Sequence, residues 1–500
     1  MSQPRSTLVV HTARQGAVLV ARIANPPVNA LGAAVRQGLL QALDQAASDH
    51  AVKAVLIIGE GKAFIGGADI REFGKPALLP SLPDVCNGIE ASDKIFVAAI
   101  QGAALGGGLE VALAAHYRVA LPAATLGLPE VTLGLLPGAG GTQRAPRLMG
   151  AKAAAELMLG GQPLSAQAAQ AAGLVDCVVD GASALDAGLA YAEELLARGA
   201  MPRRTRDLAI ADAATALAEL DALAADTIRK TRGLFSPLKI LECVRAAVEL
   251  PFDEGLARER ALFLACLDSP QRAGLVHAFF AEREVVKVPE ATSAAPRDIA
   301  RIAVIGGGTM GAGIAVSALD AGFAVTMVER DDEAIARGRA NVEKVYDGLI
   351  AKGRMTADGK ATVLARYTPA TSYDAVGDAD LVIEAVFEDL EVKKAVFRQL
   401  DAVCRPGAVL ATNTSYLDIA AIASATRRPQ DVIGLHFFSP ANIMKLLEIV
   451  VPTRVSADVV STAFELARRM KKVPVRAGVC DGFIGNRILA VYKQAAEHMM

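Results

Sequence analysis

The chain reads as an α/β protein in two parts joined by helices, and three features of its 500 residues lead to that reading. Short apolar runs alternate with helix-length segments across tight Gly- or Pro-containing loops before residue 190 and again after residue 300. A patterned glycine turn opens a helix directly after an apolar strand at Arg301. Between these parts, residues 191–295 are rich in Ala, Leu, Arg and Glu and predict a helical linker. A chain of this length exceeds one usual domain. The predicted divisions are 1–190, 191–295, 296–478 and 479–500, the last being the start of a further helical domain.

Composition narrows the function classes. The chain is 52% hydrophobic and 21% charged with a net charge of −2, so no nucleic-acid or anionic-membrane partner is expected. Local basic clusters can still meet an acidic ligand. Six cysteines lie scattered without a CxxC pair, which argues against a disulfide framework or zinc site, and the six histidines lack metal-ligand spacing. No metal is expected. The N-terminus lacks a charged-then-apolar leader pattern, and no apolar run is long enough for a membrane span. The expectation is a soluble intracellular enzyme.

In chain order, residues 7–24 alternate and turn as a hairpin, and NPPVNAL breaks the strand at Pro26 and Pro27. A helix follows from about Gly32 to Ser48, then the buried strand AVKAVLIIG. The strand IFVAAIQG leads into Gly106, Gly107 and Gly108 and an Ala- and Leu-rich helix. In the linker, Pro202, Pro237, Pro251 and Pro270 divide separate helices, and 285–298 is a polar boundary.

Two glutamates stand out in apolar surroundings, Glu110 in the first turn after the glycine triplet and Glu130 behind Pro129. Free N–H groups at a helix start suit an oxyanion such as a thioester enolate. From these residues alone a second reading stays open: the triplet permits close helix packing and Glu130 caps a turn. The segments IQGAALGGGLE and LPEVTLGLLPGAGGTQR, with KAFIGGADI at Lys62–Ile70, resemble the crotonase (enoyl-CoA hydratase/isomerase) family. That resemblance implies a β-β-α spiral, an oxyanion hole from the Ala68 and Gly107 amides, and Glu110 and Glu130 as the catalytic acids. Gly66 stands where the family usually has Ala.

Farther on, Gly306, Gly308 and Gly311 form GxGxxG between strand RIAVI and an Ala-rich helix, and Glu329 ends the next strand. This is the fingerprint of a Rossmann dinucleotide fold, a doubly wound parallel sheet. Gly306 makes the turn, Gly308 admits the pyrophosphate and Gly311 packs the helix on the strand. Glu329 would bind ribose hydroxyls and repel a 2′-phosphate, favouring NAD over NADP, with Arg330 as the counter-indication. A glycine turn without a nucleotide is the bland alternative.

The segments DADLVIEAVFEDLEVKKAVF, AVLATNTSYLDI, VIGLHFFSPANIMKLLEIV and GVCDGFIGNRIL resemble the 3-hydroxyacyl-CoA dehydrogenase family. Carried over by motif, His436 is the general base and Glu448 orients it. Ser415 and Asn486 hold the substrate oxygen and thioester region, and Glu388 and Lys393 lie near the nicotinamide half of the cofactor. Read alone, a histidine among strand residues is also the pattern of a hydrogen-bonded core residue. The His-then-Glu spacing with Ser415 upstream favours the base. Ser439 occupies a position where Asn is common.

The two resemblances in this order match the bifunctional enzymes of fatty-acid β-oxidation. They imply acyl-CoA substrates, enoyl-CoA hydration with Δ3,Δ2-isomerisation as an added capacity, and NAD-dependent oxidation. The alternative is a hydratase/isomerase whose dehydrogenase half is inactive. The expected compartment is the peroxisome in a eukaryote and the cytoplasm in a bacterium, and the peroxisomal type implies a monomer. The dehydrogenase family continues past GFIGNR, so the chain reads as truncated at Met500, without much of an acyl pocket.

Overall fold

The computed structural model describes residues 9–72, 75–76, 78–181 and 183–499, with the backbone alone at 70, 291 and 292. Residues 7 and 8 of the expected hairpin, and Met500, lie outside the described residues. The chain forms two compact units, Met1–Phe279 and Phe280–Met500.

The first unit contains strands β1 (Val10–Gln15), β2 (Val18–Ile23), β3 (Ala54–Gly59), β4 (Ile95–Ile100), β5 (Ala103–Leu105), β6 (Tyr117–Ala120), β7 (Thr125–Gly127), β8 (Leu164–Ser165) and β9 (Cys177–Val178). One sheet runs β1-β2-β3-β4-β6-β9 and a smaller one β5-β7-β8. Only the hairpin β1–β2 is antiparallel in the larger sheet. β3 and β4 are buried along their whole length, as continuous Val/Ile/Leu runs in a doubly covered parallel sheet must be. Alternate residues divide between faces. Val55, Ile57, Phe96 and Ala98 join Val35, Leu39 and Ala42 of the Ala33–Ser48 helix. Leu56, Ile58, Val97 and Ala99 join Ala192 and Leu195 of the Ala184–Ala197 helix.

The expected linker helices appear as Ala213–Thr231, Phe235–Glu249 and Phe252–Leu267, and they share the first unit's core through Leu220, Ile240, Val244 and Leu262. Pro237 does not separate helices. It sits in the first turn of Phe235–Glu249, where its missing N–H has no intrahelical partner to lose. The polar stretch 285–298 carries a short helix, Pro289–Ser293.

The second unit contains β10 (Arg301–Ile305), β11 (Ala324–Val328), β12 (Tyr367–Ala370), β13 (Leu381–Glu384), β14 (Val409–Thr412), β15 (Val432–Phe437), β16 (Leu446–Val451) and β17 (Val473–Gly478). They order as β12-β11-β10-β13-β14-β15-β16-β17, parallel except for β15–β16. Residues 438–445 between those two strands are too few for a crossover, so the chain folds straight back. Helices Thr309–Asp320 and Asp332–Ala351 cover one face, and Leu390–Val403 and Ile419–Ala423 the other, which makes the sheet doubly wound. The strand order reverses between β10 and β13, so the crevice at their carboxyl ends is the place for a ligand. Among the described residues no helix is long and apolar enough to cross a membrane.

Candidate active sites

In the first unit, the segment after β3 runs beside β5. Ile65 bridges Ala104 in parallel, and Leu31 bridges Ala68. Leu31 also lies against the helix start, since a Cβ on Gly107 would come 3.2 Å from its Cδ1. Gly107 opens the Gly107–Ala114 helix, where the first-turn amides have no carbonyl behind them. Neither the Ala68 nor the Gly107 N–H has an acceptor among the described residues. Gly66 fits because a Cβ there would lie 3.0 Å from Val28, so the family's usual Ala would crowd that side chain.

Gly106, ahead of that helix, has φ 53 and ψ −127, a conformation open only to glycine in practice. A Cβ on it would lie 2.9 Å from Oε1 of Glu130. The missing side chain therefore lets the Glu130 carboxyl reach the helix start. Glu130 itself begins a 3-10 turn, Glu130–Leu133, rather than an open loop. Its Oε2 is buried with no hydrogen-bond partner.

Glu110 is 3% exposed, and its Oε1 accepts from the amides of Ala139 at 2.7 Å and Gly141 at 2.8 Å. Burial raises the proton affinity of both carboxyls. For Glu110 the two N–H donors oppose that rise. For Glu130 the negative charge of Glu110 adds to it, holding Glu130 well above the ordinary carboxylate range. The two carboxyls thus sit in unlike environments, one held by two N–H donors and one with an unpartnered buried oxygen.

A third carboxyl escaped the sequence reading. Glu259, 2% exposed, reaches the same loop from the Phe252–Leu267 helix. The available signal was its place on the buried stripe Phe252, Gly255, Glu259, Leu262, Cys266, where a charge interrupts apolar spacing.

In the second unit the three glycines separate by role. Gly306 has φ 100. A Cβ on Gly311 would lie 1.8 Å from the Gly306 carbonyl oxygen, whereas one on Gly308 would meet nothing within 4 Å. Turn, helix packing and an open face toward the crevice are what a bound pyrophosphate requires. Glu329 at the end of β11 points at this loop, with Oε1 accepting from Gly307 N at 2.7 Å. Arg330 turns to Asp331. These residues fit a dinucleotide with free ribose hydroxyls.

His436 and Glu448 face each other across β15–β16. Nδ1 of His436 lies 2.7 Å from Oε2 of Glu448, and both are buried. Oε1 of Glu448 accepts from Ile484 N at 3.1 Å and Gly485 N at 2.7 Å. Burial pushes the Glu448 carboxyl up, but the histidine bond and these amides outweigh it and hold it below its ordinary value. A carboxylate on Nδ1 favours the tautomer with its proton there and leaves Nε2 as the unprotonated nitrogen. Asn486 follows Gly485 at the start of the Gly485–Met499 helix. Ser415 lies beyond β14 at the same sheet edge, and Asn413 Oδ1 accepts from Phe437 N at 2.9 Å, tying the two loops.

Glu388 Oε1 accepts from Ser415 N at 2.7 Å and from the Thr414 hydroxyl at 2.5 Å. Lys393 lies directly behind Glu388. Its side chain is 0% exposed, with Nζ 2.7 Å from Oε1 of Glu384 and 3.5 Å from Oε2 of Glu388. It braces Glu388 from behind. The buried Glu384 partner was not anticipated. Ser439 has no side-chain hydrogen bond among the described residues.

Known proteins resemble both units. Residues 13–231 match the family described as enoyl-CoA hydratase/isomerase, and 301–480 match 3-hydroxyacyl-CoA dehydrogenase, NAD binding domain. The Danio rerio protein called peroxisomal bifunctional enzyme is 44% identical over 489 residues, covering 97% of this chain and 67% of that one. The Homo sapiens protein of the same name is 39% identical over 500 residues, 98% of this chain and 68% of that one. The crystal structure of the dehydrogenase part of multifunctional enzyme 1 from C. elegans is 30% identical, covers 45% of this chain and 54% of that one, and aligns with a TM-score of 0.39.

Proposed function

This chain belongs to the family of peroxisomal bifunctional enzymes, an enoyl-CoA hydratase/isomerase fused to a 3-hydroxyacyl-CoA dehydrogenase, and from that premise we propose how its own residues act. The protein hydrates trans-2-enoyl-CoA to (3S)-hydroxyacyl-CoA and oxidises that product with NAD to 3-ketoacyl-CoA. Residues 1–190 with the linker helices from Ala213 to Leu267 carry the first step. Residues 296–478 with the 479–500 helix carry the second.

In hydration the thioester oxygen lies between the Ala68 and Gly107 amides, which stabilise charge as it develops there. Glu110 takes a proton from water as the oxygen bonds to C3. Glu130 gives its proton to C2, and the two transfers sum to the addition of one water. The observation that carries this reading is the unlike pair of carboxyls, one held by two amides and one with an unpartnered buried oxygen. Glu130 is also the group suited to moving a proton between C2 and C4, the Δ3,Δ2-isomerisation.

In oxidation His436 Nε2 removes the hydroxyl proton while Glu448 holds the ring and balances its charge. Bound NAD supplies the hydride acceptor. Gly306, Gly308, Gly311 and Glu329 would hold its adenosine and pyrophosphate, and Glu388, braced by Lys393, its nicotinamide end. Ser415 and Asn486 position the substrate. The compartment in a eukaryotic cell would be the peroxisome, as the relatives' names say of those proteins.

Glu110→Gln and Glu130→Gln are each expected to lower hydration by about 10²–10⁴-fold while NADH formation from 3-hydroxyacyl-CoA persists. Full hydration by either variant overturns the site assignment. Absence of NADH formation by the parent chain would favour a hydratase alone.

A further inference from the structure

Glu259 has no place in the reaction as written, yet a carboxyl on a core stripe needs a reason, because burial without partners is costly. All its hydrogen bonds go to one loop. Oε1 accepts from Gly140 N at 2.7 Å, and Oε2 accepts from Thr142 N at 3.1 Å and the Thr142 hydroxyl at 2.5 Å. Glu110 takes the other two amides, Ala139 and Gly141, on a single oxygen. Four successive N–H groups are thus divided alternately between two carboxylates from elements far apart in the chain.

The loop is built for this. Gly140 has φ 94, and a Cβ on it would lie 2.1 Å from Nη1 of Arg144. A Cβ on Gly141 would lie 2.8 Å from Oε1 of Glu110. With Oε1 of Glu110 committed to the loop, Oε2 has no partner among the described residues and is the oxygen left for water. Its aim is only as fixed as the loop, and Glu259 holds the loop's other side.

We propose that Glu259 is a positioning residue of the hydration reaction, clamping residues 140 and 142 so that Glu110 presents its free oxygen to the attacking water. The proposal rests on the hydratase reading above. Glu259→Gln sets an amide NH2 against one of the loop's N–H donors and releases one side of the clamp. The expected result is a fall in hydration kcat of about ten- to a hundredfold, the scale of an ångström-sized misplacement. KM should stay within about twofold, with oxidation of 3-hydroxyacyl-CoA unchanged. In a Glu110→Gln background the same change should cost nothing further, because its effect runs through Glu110.

Parental kcat in Glu259→Gln, a rise in KM without a fall in kcat, or losses that multiply independently in the double variant would overturn the proposal. If Glu259→Gln does not fold, Thr142→Val, which keeps the carboxyl and removes one of its donors, decides by the same kcat and KM criteria. Undiminished hydration by Glu110→Gln alone would instead sink the hydratase reading.

Discussion

Gly106→Ala tests how the first site is assembled without touching an ionisable group. The native backbone there, φ 53 and ψ −127, lies outside the wells of an L side chain, which sets a stability loss of about 1–3 kcal/mol. The new methyl would stand 2.9 Å from Oε1 of Glu130 and 3.6 Å from its Cδ. That oxygen ends a side chain that can swing, so the clash itself adds little to the stability loss. The rate is different. A carboxyl displaced by an ångström gives up about 10² in rate, equal to about 2.7 kcal/mol of transition-state stabilisation. Following loss of the enoyl thioester's ultraviolet absorbance should show kcat for hydration down by about that factor, with NAD-dependent oxidation intact. Parental hydration by Gly106→Ala would show that Glu130 does not need this approach to the helix start, and the argument for the acid would fail.

Two further outcomes follow from the carboxyl environments. Glu130 has its proton affinity raised in the folded chain, so its contribution to stability is present below the unfolded carboxylate pKa and is lost as pH rises through the folded value. Glu130→Gln should therefore melt higher than the parent at alkaline pH, by a margin that widens with pH; a margin constant between about pH 5 and about pH 9 contradicts the burial argument. Glu448→Gln offers His436 an NH2 group and favours the wrong tautomer, so NADH formation should fall by roughly 10²–10⁴-fold with hydration unchanged, and a loss below tenfold would remove Glu448 from the role.

Much of both sites was legible because their determinants are local. Gly106 to Gly108 before an apolar helix, and Gly306, Gly308 and Gly311 between strand and helix, are backbone requirements written in neighbouring residues. His436 and Glu448 were legible as a pair because motif resemblance supplied the partner, and adjacent strands then set them opposite. What stayed hidden depends on distant packing. Glu259 meets its loop across more than a hundred residues, and only its intrusion on an apolar stripe hinted at burial. The motif resemblance puts Lys393 near the nicotinamide half of the cofactor, but its burial against Glu384 could not be read from the sequence, where a surface cation and a buried brace look alike. The linker helices joined the first core because their apolar faces need a partner, and periodicity does not say which one.

Glu448 spends its two oxygens on different things, one on the imidazole and one on the turn that leads to Asn486. The residue that would feel the thioester and the residue that would draw off the proton are therefore mechanically linked through a single carboxyl. Any molecule that shifts the Ile484–Gly485 turn also re-aims the histidine.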